Sequence, residues 1–267
     1  MSSTKRNVLG VWVDGVDYRT TVERVVQCAE RGVPLTVSAL AVHGIMTGVL
    51  DPTHRHRLNR LDLVVPDGQP VRWALNWLHG VRLRDRVYGP TLTLKLCEAA
   101  AARGLPIFLY GSRPEVLAAL QRRLLVRFAG LRIAGAEPSK FRMLSAGEKH
   151  DVIARIRSSG AKLTFVGLGC PRQEVWAYEY REALQMPILA VGGAFDVHAG
   201  LVKQAPPRLQ SVGLEWLYRL YREPRRLWRR YLYLNPLFLG HLALQATGLK
   251  RYNPMDAPAP NKELGYG

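Results

Sequence analysis

The sequence predicts an α/β protein with a Rossmann-like, mostly parallel sheet that is covered by helices on both faces. Short runs that are apolar throughout, typical of strands buried on both faces, alternate with longer segments of helical spacing. The chain has 267 residues, of which 48% are hydrophobic, enough to bury one sizeable core. After about residue 200 the pattern becomes basic and helical, which adds a predicted C-terminal membrane-association segment to this fold class.

The predicted elements follow from local patterns. Asn7–Val13 is predicted as the first strand, and Asp17–Arg31 as a helix with Thr20 and Glu23 at capping-box spacing. Further β-rich runs predict strands at Leu35–Leu40, Leu61–Val65, Pro106–Tyr110, Leu131–Ala136, Lys162–Val166 and Pro187–Val191. Helical patterns predict helices at Gln69–Leu78, Thr91–Arg103, Pro114–Phe128, Ala146–Ser158 and Arg172–Leu184. We therefore expect a single Rossmann-like domain over residues 1–200.

Residues 201–250 are predicted to form a basic amphipathic appendage. Between Lys203 and Arg230 there are eight basic and two acidic residues, a local charge of +6, and Leu, Trp and Tyr recur at helical spacing on the other side. Pro224 is expected to start a new helix or kink the old one. The apolar segment Pro236–Leu249 would span about 21 Å as a helix, which is short of a bilayer core. The Pro-rich residues 251–267 are predicted to be disordered.

Composition narrows the classes of function. A formal net charge of +17 favours polyanionic partners, which are nucleic acid, phosphorylated ligands or anionic lipid. Cys28, Cys97 and Cys170 are far apart and lack CxxC spacing, so we expect reduced thiols in a cytoplasmic protein. The N-terminal sequence has no long apolar stretch typical of a signal peptide, and the sequence has no run of 18 apolar residues.

Candidate ligand-binding residues follow the predicted strands, because ligands of open α/β sheets bind beyond the carboxyl ends of the strands. They are Ser38, Asp67, the Gly167-Leu168-Gly169 turn with the following Gln173, the Gly192-Gly193 turn, and Asp196. Each glycine pair allows the backbone to approach a ligand, and a helix N-terminus after it suits phosphate. Taken alone, each glycine pair is more often an ordinary turn between a strand and a helix.

Three charged residues have a functional and a structural interpretation. Asp67 is either a general base held where substrate enters or a turn residue or helix N-cap. Asp196 either binds ribose hydroxyls or caps a helix. Arg86 either pairs with a phosphate or is a solvated surface arginine. The spacing of His43, His79 and His198 matches no metal-ligand pattern, so we interpret them as packing or surface residues.

Five segments in order resemble the WecG/TagA/CpsF glycosyltransferase family over roughly Asn7 to Leu234. They are VVPDG at Val64–Gly68, RVYG at Arg86–Gly89, FVGLGCPRQE at Phe165–Glu174, VGGAFDVHAG at Val191–Gly200, and GLEWLYRLYREPRRLWRRYL at Gly213–Leu232. The resemblance implies inverting transfer of a sugar from a UDP-sugar to a polyprenyl-pyrophosphate-linked acceptor, in the synthesis of bacterial cell-surface or exopolysaccharides. It also implies that residues 1–200 form a Rossmann-like nucleotide-sugar-binding catalytic domain, that the basic appendage touches the membrane, and that no metal is obligate.

The resemblance assigns roles to individual residues. Asp67 matches the proposed catalytic base, and Arg86, Gln173 and Asp196 match polar residues of the nucleotide-sugar site. The basic residues expected to face the pyrophosphate or the membrane are Lys203, Arg208, Arg219, Arg222, Arg226 and Arg229. The sequence departs from the family where Ser38 replaces a Thr, retaining a hydroxyl that we include in the catalytic set, where Leu40 replaces an Asn, and where Thr91 stands in the place of a common Asp.

The expected mechanism needs no cofactor or metal. An inverting transfer requires a base for the acceptor hydroxyl and positive charge near the leaving UDP. The sequence has no Asp-x-Asp motif, and arginines together with a helix N-terminus supply the same electrostatic stabilisation. We therefore expect UDP-sugar, a polyprenyl-pyrophosphate-linked glycan and an anionic membrane surface as partners, with self-association also permitted by the apolar segment.

Two alternatives remain open from the sequence. A basic nucleic-acid-binding protein is compatible with the net charge, although the sequence contains no recognisable RNA- or DNA-binding motif. A catalytically degenerate homologue that only binds UDP-sugar is compatible with Leu40. For the basic segment itself, the alternative to membrane association is an ordinary packed helix with a solvated basic face. Neither the donor sugar, the acceptor, nor the pathway follows from the sequence.

Overall fold

In a computed structural model, the chain forms a six-stranded parallel sheet between two layers of helices, preceded by a small hairpin. The structure describes residues 4–267, apart from the side chains of residues 207, 226 and 230. The strands are β1 (Lys5–Val8), β2 (Val11–Asp14), β3 (Leu35–Leu40), β4 (Leu63–Pro66), β5 (Ile107–Gly111), β6 (Ile133–Glu137), β7 (Leu163–Gly167) and β8 (Pro187–Ala190). The predicted α/β class with a mostly parallel sheet is confirmed.

Helices follow most of the strands. They are α1 (Tyr18–Arg31), α2 (Val42–Leu50), α3 (Pro52–Asn59), α4 (Gln69–His79), α5 (Gly89–Ala102), α6 (Pro114–Arg127), α7 (Ala146–Ser158), α8 (Arg172–Leu184) and α9 (Ala194–His198). The appendage contains α10 (Pro207–Ser211), α11 (Glu215–Arg222), α12 (Pro224–Trp228), a π-helical turn (Arg229–Tyr233) and α13 (Leu234–Ala246). Within residues 4–267, no helix is both long and apolar enough to cross a bilayer.

The sheet has the strand order β4-β3-β8-β7-β5-β6, and every neighbouring pair is parallel. Side chains of β5 show how the two layers are filled. Ile107 and Leu109 pack into the cluster formed with α1, α5, α6 and α9, whereas Phe108 and Tyr110 pack into the cluster formed with α2, α4, α7 and α8. This alternation explains the continuous apolar runs, since both faces of each strand are buried. All six carboxyl ends consequently meet at one edge.

The N-terminal region differs from its prediction. Asn7–Val13 was expected to be one strand, but Leu9 and Gly10 adopt φ angles of 54° and 83° and turn the chain between antiparallel β1 and β2. The N-terminus of α1 also differs from the expected capping box, because the Asp17 carboxylate accepts a hydrogen bond from the Thr20 amide at 2.8 Å. Two helices that the sequence did not predict, α2 and α3, occupy the connection between β3 and β4.

The end of the chain packs against the body. Phe238 and Leu242 of α13 are buried in the core, and Gln245 hydrogen-bonds the backbone of the β1–β2 hairpin at Asn7 and Leu9. Residues 251–267 differ from the predicted disordered tail, since they follow the surface in a defined path and hydrogen-bond α3, α8 and the loop after β6. The local composition of residues 251–267 does not predict this path, because each of these hydrogen-bond partners lies more than 80 residues away along the chain.

Candidate active site

A cavity of about 520 Å³ lies at the carboxyl edge of the sheet, and residues of the appendage form part of its wall. The structure brings together ten of the predicted site residues along its walls. They are Asp67, Arg86, Gly167, Gly169, Gln173, Gly192, Gly193, Asp196, Lys203 and Arg219. Trp216, Tyr231 and Asn235 of the appendage line the same cavity. A cavity of this size and polarity is typical of a small-molecule site.

Asp67 follows β4 and faces the cavity. Its Oδ1 accepts a hydrogen bond of 2.6 Å from the amide of Gly89, at the start of α5. Burial raises the pKa of Asp67 to about 6, although the nearby Arg86 guanidinium and the Gly89 amide act in the opposite direction. The N-cap interpretation is wrong, because Gly68 is the N-cap of α4 and no side chain caps that helix. A carboxyl group with this pKa is suited to accept a proton near neutral pH.

Arg86 lies beside Asp67 and is only 7% exposed, so the surface-arginine interpretation is wrong. Its Nη2 donates to Glu215 of α11 in a short ion pair and to Oε1 of Gln210 at 3.2 Å. Its guanidinium also lies 4.2 Å from the centroid of the Tyr88 ring. The appendage is therefore joined to the floor of the cavity through a buried charge pair.

Ser38 lies beneath the cavity and has no exposed surface. Its hydroxyl donates to Oε1 of Glu174 at 3.1 Å, and Nε2 of Gln173 donates to the same oxygen at 2.8 Å. Burial raises the pKa of Glu174. Because the Gln173 amide nitrogen is committed to Glu174, its Oε1 remains directed at the cavity wall beside Gly192 and is unpaired. Ser38, predicted as catalytic, thus contacts Glu174 and does not line the cavity.

The predicted glycine turns allow close packing at the strand ends. A Cβ atom at Gly167 would lie 2.4 Å from the Phe195 ring, and one at Gly192 would lie 2.9 Å from Oε1 of Gln173. Gly169 has a φ of +77° with open space around it, just before α8. The N-terminal residues of α8, including Arg172 and Gln173, line the cavity. This arrangement provides the helix-terminus site that suits a phosphate.

Asp196 lies within α9 on the wall formed after β8. Its predicted alternative, a helix cap, is wrong because Gly193 is the N-cap and no side chain caps α9. The backbone carbonyl of Asp196 accepts hydrogen bonds from Leu201 and Val202, at 3.0 and 3.2 Å, and so fixes the start of the appendage.

The predicted basic residues divide into two groups. Lys203 and Arg219 line the cavity, whereas Arg208, Arg222 and Arg229 are exposed and are not among the residues that line it. The side chain of Arg226 lies outside the described residues. The predicted pyrophosphate-facing set is therefore split between the cavity and the outer surface of the appendage.

Leu40, which replaces an Asn in the resemblance, is 1% exposed. It packs against α2 so closely that a Cβ atom at Gly44 would lie 2.3 Å from its Cδ1. Leu40 therefore provides apolar packing between β3 and α2, where an Asn would place a polar side chain at the cavity wall.

Several cavity residues were not predicted as functional. Tyr88, Glu174 and Glu215 lie inside the recognisable RVYG, FVGLGCPRQE and GLEWLYR segments, so the sequence contained a signal for each of them. Phe141 lines the cavity from the loop after β6, where the sequence offered no signal. Within residues 4–267, His, Cys, Asp and Glu side chains form no group of three or more suited to hold a metal ion.

The parallel sheet, the cavity at its carboxyl edge and the buried acid beside two arginines define a Rossmann-like fold whose cavity is suited to an anionic ligand. A family model for glycosyl transferases of the WecG/TagA/CpsF family matches residues 6–252. The chain belongs to this glycosyltransferase family, and the predicted resemblance is confirmed.

Proposed function

We propose that the protein is an inverting, metal-independent glycosyltransferase that moves a sugar from a UDP-sugar to a polyprenyl-pyrophosphate-linked glycan. The reaction would take place at the cytoplasmic face of a bacterial membrane, in cell-surface or exopolysaccharide synthesis. The observation that carries this proposal is the position of Asp67, whose carboxyl group has a pKa of about 6 and faces a cavity lined by Arg86 and Arg219 in a chain of this family.

Asp67 is the general base. Its ionised carboxylate accepts the proton of the acceptor hydroxyl as that oxygen forms a bond to the anomeric carbon of the donor sugar. The bond between that carbon and the UDP oxygen breaks with its electron pair leaving on UDP. Attack from the face opposite the leaving group inverts the anomeric configuration. Asp67 needs no covalent intermediate for this role.

Positive groups stabilise the leaving UDP. Arg86, Lys203 and Arg219 line the cavity, and the N-terminus of α8 lies on its wall. Arg86 is held in place by Glu215 and Gln210, so its guanidinium is oriented before the substrate binds. Ser38 and Glu174 act beneath them as positioning residues for Gln173.

The outer surface of the appendage is proposed to bind the membrane. Leu217, Tyr221, Trp228, Leu232 and Tyr233 are exposed by between 49% and 82%, an unusual density of large apolar side chains for a solvated surface. The exposed Arg222 and Arg229 lie among them and suit anionic headgroups. This surface would hold the protein peripherally while the cavity receives a lipid-linked acceptor.

The test is acceptor-stimulated release of UDP from a panel of UDP-sugars, with detergent-solubilised polyprenyl-pyrophosphate glycans and EDTA present. We expect release from one donor by the native protein and at least about 100-fold slower release by Asp67→Asn, with UDP affinity retained. Asp151→Asn, an exposed acid of α7 outside the cavity, is the matched control. UDP binding without release from any donor would favour the catalytically degenerate alternative, and full activity of Asp67→Asn would exclude Asp67 as the base.

A further inference from the structure

Two tryptophan side chains of α4 lie on the surface of the α/β body, outside the appendage. Trp73 is 45% exposed and Trp77 is 64% exposed, and their spacing of four residues places them on one face of the helix. Neither lines the cavity. Tryptophan is usually found in cores and interfaces, so an exposed pair on one helix face indicates an interaction surface.

The tryptophan pair adjoins the appendage. Gly213 lies so close to Trp73 that a Cβ atom at Gly213 would be 2.7 Å from Cη2 of the ring. Gly213 also lines the cavity, and its neighbours in the chain, Val212 and Leu214, are 59% and 40% exposed. Trp73 therefore continues the exposed apolar surface of the appendage onto the α/β body, beside the rim of the cavity.

Two exposed arginines, Arg82 and Arg84, follow α4 in the connection to α5. This connection is held along the helix, because Leu83 exchanges two hydrogen bonds with the Asn76 side chain, at 2.8 and 3.0 Å. The Arg84 carbonyl also accepts from Nη1 of Arg72 at 2.7 Å. Since these two anchoring residues of α4 each precede one of the tryptophans, the arginines follow a backbone that runs beside the pair.

The α4 patch, here defined as Trp73, Trp77, Arg82 and Arg84, has the composition of a lipid-facing surface. Tryptophan is enriched at the level of the headgroups, and arginine pairs with anionic headgroups. Residues 72–85 contain three arginines and one acid, Asp85, so the charge of this region is complementary to anionic lipid. Two tryptophans bury roughly 300–500 Å², whereas a stable interface with a second copy needs about 800 Å² per partner.

The strand order places the α4 patch on the side from which the acceptor approaches. Asp67 follows the edge strand β4, whereas the glycine turns after β7 and β8 lie nearer the middle of the sheet. If UDP lies at those turns, as the proposed function requires, an acceptor that attacks opposite the leaving group enters from the β4 edge. Helix α4 begins at this edge, two residues after Asp67, and its first residue Gln69 lines the cavity.

We propose that the α4 patch inserts into the headgroup region of an anionic bilayer, so that the α/β body meets the membrane together with the appendage. Trp73 and Trp77 would enter the boundary between headgroups and acyl chains, and Arg82 and Arg84 would pair with headgroup phosphates. The end of the cavity at Asp67 would then lie close to the lipid surface. The inference rests on the proposed function, because it takes the acceptor to be lipid-linked.

The experiment measures the partition coefficient of full-length variants into vesicles of phosphatidylglycerol and phosphatidylcholine by co-sedimentation. We expect Trp77→Ala to lower this coefficient about tenfold, because the apolar area that would be buried in lipid is lost. Trp77→Phe should recover most of the loss. Val126→Ala, at an 89% exposed apolar residue of α6, is the control and should change the coefficient less than about twofold.

The charged half of the patch has its own variant. Arg82→Glu combined with Arg84→Glu should lower the partition coefficient at least about tenfold in 50 mM NaCl and by a smaller factor in 500 mM NaCl, because exposed charges are screened by salt. Charge reversal at the exposed Arg122 and Arg157 is the control for net charge. Equal loss from both pairs would overturn the assignment of these arginines to the patch.

Insertion of Trp77 is measured directly by quenching with lipids that are brominated on their acyl chains. The difference in emission between native protein and Trp77→Phe isolates the signal of Trp77, and we expect brominated vesicles to quench it. Urea unfolding midpoints that match the native value show that the variants are folded. Native partitioning of Trp77→Ala, or an unquenched Trp77 signal, would overturn the inference while leaving the appendage as the membrane surface.

Two further outcomes separate the inference from its alternatives. A dimer of the native protein that Trp77→Ala abolishes, measured by analytical ultracentrifugation, would assign the patch to a second copy of the chain and overturn the inference. Native protein that binds no vesicles would overturn the membrane part of the proposed function together with the inference. Vesicle binding requires neither donor nor acceptor, so a failure of sugar transfer is detected separately, by the UDP-release assay.

Discussion

Asp67 shows how a single side chain acquires its chemistry from residues that are distant in the sequence. Its carboxyl group is destabilised in the charged form by burial and by Glu215, and stabilised by Arg86, Arg219 and the Gly89 amide. The balance leaves its pKa at about 6, above the ordinary value for aspartate. Below this pH the group is protonated and is no base, whereas above it the carboxylate accepts a proton.

The raised pKa of Asp67 predicts how the reaction depends on pH. We expect kcat/KM for UDP-sugar transfer to rise about tenfold per pH unit below about 6 and to level off above it, since only ionised Asp67 is active. The measurement is kcat/KM from pH 5 to 8 at constant ionic strength. Asp151→Asn, at an exposed acid of α7 outside the cavity, should keep the same midpoint. A flat profile over this range would mean that the base is another group.

Some site residues can be predicted from the sequence and others cannot, for a physical reason. Asp67 and Asp196 follow strands whose apolar runs are local, so the edge on which they meet is predictable. The burial of Arg86 is not predictable in this way, because its partner Glu215 is 129 residues further along the chain. The position of Phe141 at the cavity is not predictable either, because the Ser139 hydroxyl that accepts from its amide also bonds Gly267, 128 residues further along the chain.

Among the elements, the regular helices and strands of the sheet were predicted closely, and Ala146–Ser158 and Arg172–Leu184 were predicted with the observed bounds. Their periodic patterns persist over three turns or more, so local preference and tertiary packing agree. The β1–β2 hairpin was missed because Leu9 occupies a left-handed turn position that usually takes Asn or Gly. Helix α2 was missed because its two glycines and its β-branched residues weaken the helical pattern.

The attachment of α8 to the sheet depends on aromatic packing. Trp176 has no exposed surface and stacks between Tyr110 and Tyr180, with ring centroids 4.8 and 4.1 Å away. Trp176→Ala should lower the free energy of unfolding by about 3–5 kcal/mol, measured by urea denaturation. Trp77→Ala, at a site that is 64% exposed, should change it by less than about 1 kcal/mol. Similar losses for both would show that Trp176 packing does not limit stability.

The two faces of the appendage have different proposed functions: the inner face lines the cavity, and the outer face binds the membrane. Charge reversal of the exposed Arg222 and Arg229 to Glu should release the protein from vesicles of anionic lipid, because each basic residue contributes about 1 kcal/mol at such a surface. Vesicle flotation is the measurement. The same reversal at the exposed Arg122 and Arg157, which lie outside the appendage, is the matched control for net charge. Equal release by both pairs would mean that total charge, and not the appendage, determines binding.

The whole molecule carries a net charge of +17, but its positive groups lie in two electrostatic environments. Arg222 and Arg229 are exposed, whereas Arg86 is 7% exposed and already paired. Dissolved salt screens exposed charges strongly and buried ones weakly. The formal charge therefore cannot by itself distinguish a membrane-bound transferase from a nucleic-acid-binding protein, whereas the salt dependence of each ligand can.

Raising NaCl from 50 to 500 mM should accordingly detach the protein from anionic vesicles while weakening UDP binding by less than about threefold, because the UDP site lies in the partly enclosed cavity. Flotation and calorimetry in the same salt series measure the two affinities, and vesicles of neutral lipid are the control for apolar insertion. A single-stranded RNA titrated in parallel tests the rival class, for which affinity would exceed that for vesicles at every salt concentration. UDP affinity that fell as steeply as vesicle binding would place the anion site on the exposed basic surface and not beside Asp67 and Arg86.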